Sequence, residues 1–186
     1  MRIDSSHNIY AYKDDGANAG QVVAEHWIKL NADYTLTSTT NAQQIFDTTT
    51  NGRITVDTGE YFYKCMLYIT SMSATSGNGQ FLWGGTATIG AGMMQAVGVD
   101  SDTPLTAGTA TRSAAQGTAS AASMVNAFTG SGLFAEINGT LEVTVAGTLI
   151  PQIDLANATA AVVESSSFCR IHRAGNTGTD SIGAWD

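Results

Sequence analysis

Charge is scarce in this chain. Only 13% of its 186 residues are Asp, Glu, Lys or Arg, about half the roughly 25% of an ordinary soluble protein. Lysine occurs three times, at Lys13, Lys29 and Lys64. With eight bases against sixteen acids, the net charge is -8. A phosphate backbone needs a concentrated basic face, so nucleic acid is excluded as an expected partner. Proline is nearly absent, with 2 residues, and no apolar run approaches the roughly 20 residues of a membrane helix. The opening Met1-Arg2-Ile3-Asp4 starts no apolar signal segment, so neither a secretory signal nor a membrane partner is expected. Cysteine is limited to Cys65 and Cys169, outside any CxxC or Cys/His metal spacing. Two buried free thiols in a reducing compartment are the expectation.

What is present is apolar and turn-rich. Hydrophobic residues make up 43% of the chain, enough to exclude disorder through lack of a core. The polar remainder is dominated by Thr, Ser, Asn and 20 Gly, types that favour strands and tight turns. The length suits one domain with a short extension. Such a low-charge surface also desolvates at modest cost, which hints at assembly.

From Ala32 onward the hydrophobic period is two. In Tyr61-Phe62-Tyr63-Lys64-Cys65-Met66-Leu67-Tyr68-Ile69 one face carries Tyr61, Tyr63, Cys65, Leu67 and Ile69. The other carries Phe62, Met66 and Tyr68, so the run reads as a central strand covered on both sides. Leu133, Ala135, Ile137, Leu141, Val143 and Val145 share one parity through Gly139, which predicts a long strand with a bulge or bend at the glycine. Further strands are expected at Tyr34–Leu36, Ile54–Val56, around Phe81 and Trp83 after a Ser76–Gly79 loop, and over Met93–Val99 and Thr109–Thr118. Leu149–Leu155 follows, with Pro151 marking an edge or bulge, then Phe168–Arg173 and Ile182–Trp185. Ala114–Ala127 has a short helix as its alternative, weakened by Gly117 and its Ser/Thr content. Eight to ten strands at this spacing predict an all-β fold: an antiparallel β-sandwich of Greek-key or jelly-roll type.

The first residues differ. Asp14-Asp15-Gly16 and Asn18-Ala19-Gly20 are turn signals with little periodicity around them. Residues 1–30 are expected to form an N-terminal arm, docking or swapped, and 31–186 the jelly-roll domain. Ile3, Ile9, Tyr10 and Tyr12 are the arm's candidate docking side chains. Gln21–Leu30 reads as a strand in preference to a short helix.

Candidate chemistry dissolves under its own requirements. Asp57-Thr58-Gly59 spells the aspartic-protease triplet, but a second copy is lacking, and the triplet falls where two strands need a turn. Gly130-Ser131-Gly132 matches a dinucleotide fingerprint by letter, but a strand follows it where a helix is needed. Asp100-Ser101-Asp102 opens like a calcium loop and runs into Pro104, leaving at most weak Ca²⁺ binding. His7, His26 and His172 have no zinc spacing, and His172 between Arg170 and Arg173 suggests at most a small anion pocket. No GxSxG elbow occurs. No catalytic residue, cofactor or metal ligand is therefore expected, and the chain reads as non-enzymatic. Tyr63 and Phe168 are its candidate core or subunit-interface aromatics.

The order of several motifs resembles a jelly-roll module of tailed-bacteriophage virion proteins. The stretches are Tyr34–Phe46, Asn51–Tyr63 and Thr70–Gly77, followed by Gly108–Ser113, Gly130–Leu133, Gly147–Pro151 and Ser167-Phe168. Together they span residues 32 to 186, although each motif alone is short. That module is similar in layout to the trimeric jelly rolls of the tumour-necrosis-factor type, with Gly59-Glu60-Tyr61-Phe62 leading into the core. The resemblance implies a homotrimer on a virion. A short arm without a shaft then points to a decoration or cement protein assembled in the host cytoplasm. It would sit on the capsid exterior, bound to the major capsid protein through the arm. The acidic charge suits the outside of a shell. The alternative is a head or tail fibre component whose loops bind a host-surface receptor.

Overall fold

Burial alternates along the central strands Gly59–Thr70 and Leu133–Val145, because side chains in a strand point to opposite faces in turn. The structure, a computed structural model, describes residues 2–3, 9–10, 12–13, 21–22, 25–37, 41–46, 52–72, 77–100, 111–116, 122–128, 132–156 and 161–175. These residues contain strands and no helix. The strands are β1 (Arg2–Ile3), β2 (Ile9–Tyr10), β3 (Tyr12–Lys13), β4 (Gln21–Val22), β5 (Glu25–Lys29), β6 (Tyr34–Thr35), β7 (Gln43–Gln44), β8 (Ile54–Val56) and β9 (Gly59–Thr70). They continue with β10 (Gly77–Gly85), β11 (Thr88–Asp100), β12 (Thr111–Gln116), β13 (Ala122–Phe128), β14 (Leu133–Val145), β15 (Gly147–Ala156), β16 (Val162–Val163) and β17 (Phe168–Gly175).

The strands form two main antiparallel sheets, an arrangement compatible with a β-sandwich. The larger runs β12-β11-β14-β9, and beyond β9 it divides, β17 and then β5 on one stretch, β16 and then β6 on the other. The smaller runs β13-β10-β15, with β7 and β8 sharing the far edge of β15. β1 pairs with β2 and β3 with β4 in separate two-stranded ladders. β5 lies within the expected arm, yet it hydrogen-bonds to β17. Ile28 and Leu30 are accordingly buried in the common core.

That core is filled from both sheets. Tyr63, Cys65, Leu67 and Ile69 of β9 and Leu133, Ile137, Leu141 and Val143 of β14 meet Phe81 of β10 and Leu149, Ile153 and Leu155 of β15 in one cluster. Each fully buried large apolar side chain contributes about 1.5–3 kcal/mol of transfer free energy. Tyr63 spans the layers: its ring lies 6.3 Å from Phe81 and 5.1 Å, edge-on, from Trp83.

Several expectations are corrected. Cys65 and Cys169 are not free thiols; they form a disulfide, because β9–β17 pairing sets them directly opposite, with Cα atoms 4.1 Å apart. The face bearing Phe62 and Met66 is not covered, since the second sheet packs on the opposite side of β9 only. Gly139 makes no bulge. β14 pairs through it in register with both β9 and β11, and the irregularity falls at Thr88–Ala91 of β11. A Cβ at 139 would instead collide with the Tyr63 hydroxyl and the Met93 carbonyl. Pro151 sits inside a sheet, in unbroken register with β10. Its carbonyl accepts from Ile45 N at 3.1 Å. In a strand the N and O of one residue face the same side, so the missing N–H points towards β7 and β8 and leaves the β10 ladder whole. Residues 77–79 are strand rather than loop, while 122–128 is a strand, against the disfavoured helical alternative.

Candidate assembly face

The outer side of the large sheet is the surface the core does not use. Register aligns its outward residues into rows across five strands. The middle row is Trp27, Arg170, Lys64, Asn138 and Gln95, from β5, β17, β9, β14 and β11. One flanking row is Glu25, His172, Phe62, Thr140 and Met93, and the other is Lys29, Phe168, Met66, Glu136 and Val97. Beyond the second lie Tyr68 and Phe134, stacked with ring centroids 4.3 Å apart.

Large apolar side chains are open to solvent along these rows. Trp27 is 57% exposed, Met93 59%, Phe134 51%, Phe62 47% and Met66 42%. Single exposed apolar residues are ordinary, but several on one sheet face, on either side of the polar middle row, make that face a candidate interaction surface. The rings are already ordered against one another, Trp27 5.1 Å from Phe168 and Phe62 5.7 Å from His172. The Arg170 guanidinium lies 5.8 Å from the Trp27 ring centroid, a cation–π contact. A groove of about 850 Å³ runs over the face, between Phe62, Met93, Arg170 and His172.

Its polar groups are largely paired within the chain. Lys64 Nζ donates to Glu136 Oε1 at 2.7 Å, and Asn138 Nδ2 donates to the same oxygen at 3.0 Å. These hydrogen bonds, Asn138's first and then Lys64's, hold the Glu136 carboxyl below its ordinary value. Arg170 Nη1 reaches Glu25 Oε1 at 3.4 Å. At the end of the strands Glu60 faces Glu142. Desolvation and then that neighbouring charge push the Glu60 carboxyl up. The face therefore presents apolar area with few unsatisfied charges.

The residues singled out from sequence fall in different places. Tyr63 is a core residue, where burial pushes its hydroxyl pKa up. Phe168 is on the outer face beside Trp27. Of the arm residues, Ile3, Ile9, Tyr10 and Tyr12 belong to the short ladders, and their side chains lie outside the described residues. Arg170 and Arg173 do not converge beside His172 as a small anion pocket would need: Arg170 turns to Glu25, whereas Arg173 Nη2 donates to Thr58 O at 2.6 Å. The Asp57–Gly59 triplet is the corner joining β8 of one sheet to β9 of the other. Asp57 O there accepts the Tyr61 hydroxyl at 2.9 Å. Asp102 lies outside the described residues, and among those described no cluster of His, Cys, Asp and Glu could hold a metal ion. Sequence reasoning passed over Trp27, Met93 and Phe134. The signal available was aromatic or apolar residues on both parities of neighbouring strands. Neither family models, nor curated proteins, nor solved structures contain a match to this chain.

Proposed function

We propose that this chain is a non-enzymatic structural protein of a tailed-bacteriophage virion. In this reading it is a homotrimeric jelly roll that decorates and cements the outer face of the head, held to the major capsid protein through its N-terminal arm. The carrying observation is the set of exposed apolar side chains on one sheet face, Phe62 and Met93 on one side and Met66 and Phe134 on the other of a middle row of Trp27, Arg170, Lys64, Asn138 and Gln95, which favours a partner over open solvent. Its self-paired charges suit a second and third copy of the same chain better than a charged ligand. The trimeric count and the virion setting come from the family resemblance of residues 32 to 186.

Strand order supports the jelly roll. β5-β17-β9-β14 in one sheet and β8-β15-β10-β13 in the other alternate between layers along the chain, with β11 and β12 inserted at the β14 edge. The test is solution mass by light scattering, followed by the copy number per virion against the major capsid protein. The expected mass is three times the chain's 19.3 kDa, reduced to one chain by Phe62→Asp combined with Met93→Asp. Copies in the hundreds per particle support cement, and a few tens indicate the fibre alternative. A monomeric wild-type chain, or absence from the particle, overturns the reading. Deleting residues 1–20 is expected to abolish attachment and leave the trimer intact.

A further inference from the structure

We infer that Lys64, Glu136 and Asn138 form a self-processing cross-linking site, which joins β9 to β14 through an amide bond once the outer face is covered. Lys64 and Asn138 are direct register partners on adjacent strands. Glu136 bridges them, one oxygen accepting from Lys64 Nζ at 2.7 Å and from Asn138 Nδ2 at 3.0 Å. A carboxylate only accepts, so the amide nitrogen of Asn138 is the end turned to Glu136. A nucleophilic amine, an electrophilic carboxamide and a proton carrier are thus gathered within two hydrogen-bond lengths. An ordinary surface ion pair needs only the first and the last of these.

The step balances without a co-reactant. Glu136 takes a proton from Lys64 Nζ, and the neutral amine attacks Cγ of Asn138. The tetrahedral centre collapses with cleavage of the Cγ–Nδ2 bond. Protons passed through Glu136 leave with that nitrogen as ammonia, and a Lys64 Nζ–Asn138 Cγ amide remains.

In the isolated chain the ion pair is solvated, with the Lys64 and Glu136 side chains 30% and 44% exposed. Phe62 and Met66 flank Lys64 along β9, and Phe134 flanks Glu136 along β14. A partner seated on these apolar groups would exclude water from the pair. Low dielectric penalises the two charges and favours proton transfer to the neutral amine and acid. In this respect the site rests on the assembly reading above. The bond would complement the disulfide: Cys65 ties β9 to β17 on the inner face, and Lys64 would tie β9 to β14 on the outer.

The test is intact-mass spectrometry of the full-length chain, taken separately on its self-associated and monomeric fractions. Tryptic mapping follows, after reduction of the disulfide that joins the same peptides. The expected result is a self-associated chain lighter by one ammonia, uncut after Lys64, with a peptide linking Lys64 to Asn138. Lys64→Arg and Asn138→Ala should self-associate without the link, and Glu136→Gln should form it slower by on the order of a hundredfold or more. Succinimide formation at Asn138-Gly139 also loses ammonia, but it leaves no cross-linked peptide and survives Lys64→Arg. Full mass in the self-associated wild type, or equal ammonia loss in Lys64→Arg, overturns the site. A chain that never self-associates overturns the assembly reading. A cross-linked monomer would then still support the bond, and a full-mass monomer would remove both.

Discussion

Ser167 supplies the hydrogen bonds that a strand would otherwise give Tyr68. Its hydroxyl accepts from the Tyr68 amide at 2.9 Å and donates to the Tyr68 carbonyl at 3.2 Å. The pairing of β17 with β9 ends at Met66, and that of β16 begins at Ile69. Between them the chain turns from Glu164 to Ser167, closed by Ser167 N on Glu164 O at 2.9 Å. One buried hydroxyl thus carries the large sheet across the gap between two short strands.

Ser167→Ala should leave the Tyr68 amide without its partner. Its carbonyl keeps the bond from Glu164 N at 2.9 Å. An unsatisfied buried donor costs about 1–3 kcal/mol, which should appear as a lowered urea midpoint at unchanged slope. The exposed neighbour gives the control, and Ser166→Ala should stay within about 0.5 kcal/mol of wild type. Equal midpoints for the two variants would contradict the bridging role.

The disulfide has both cysteines fully buried and a sequence separation of 104. Closing a loop of that size removes about 4–5 kcal/mol of unfolded-state entropy in the chain-entropy model. Cys65→Ala with Cys169→Ala should therefore lower stability by several kcal/mol. Thiol titration of the unfolded protein should find no reactive thiol without reductant, and two once it is reduced. A free thiol count of two in the unfolded, unreduced protein would contradict the pairing.

Two carboxylates on the outer face should respond to pH with opposite signs. The folded-state pKa of Glu60 is raised above 4.5 by desolvation and by Glu142. Its contribution is therefore complete below 4.5 and is lost as pH rises through the raised value. The pKa of Glu136 is lowered by Asn138 and Lys64. Its contribution is present above the ordinary value and is lost as pH falls through the lowered one. As pH rises, Glu136→Gln should lose ground on wild type up to about the ordinary value of 4.5, and Glu60→Gln should gain on it above that value. Both groups are mostly solvated, so each difference should be a few tenths of a kcal/mol. Urea midpoints on both sides of that value, moving in the same direction for both variants, would contradict the assignment.

Much of the inner layer was legible because alternation writes it into the chain. Tyr61 to Ile69 and Leu133 to Val143 appear in the core on the parity the sequence gives them. What alternation does not contain is register between distant strands. That is why Cys65 and Cys169 read as separate thiols, and why alternation alone does not bring Lys64 beside Glu136 and Asn138. Nor does it say which of two apolar faces is covered: Phe62 and Met66 carry the same signal as a buried pair. Pro151 misled for a local reason, since its lost donor is harmless wherever the neighbouring strand leaves a gap.

Gly139 tests how closely the two layers are fitted. A methyl group there would meet the Tyr63 hydroxyl and the Met93 carbonyl, one in the core and the other in the adjacent strand backbone. Tyr63 has little room to retreat, being 5% exposed and packed against Phe81 and Trp83. Gly139→Ala should therefore destabilise by about 1–3 kcal/mol through overpacking. Tyr63→Leu removes both the hydroxyl and the ring carbon that the methyl group would meet, and combining it with Gly139→Ala should recover part of that loss. Denaturant melts of the two single variants and the double variant form a closed cycle, and a coupling near zero would show that the glycine serves some purpose other than making room for Tyr63.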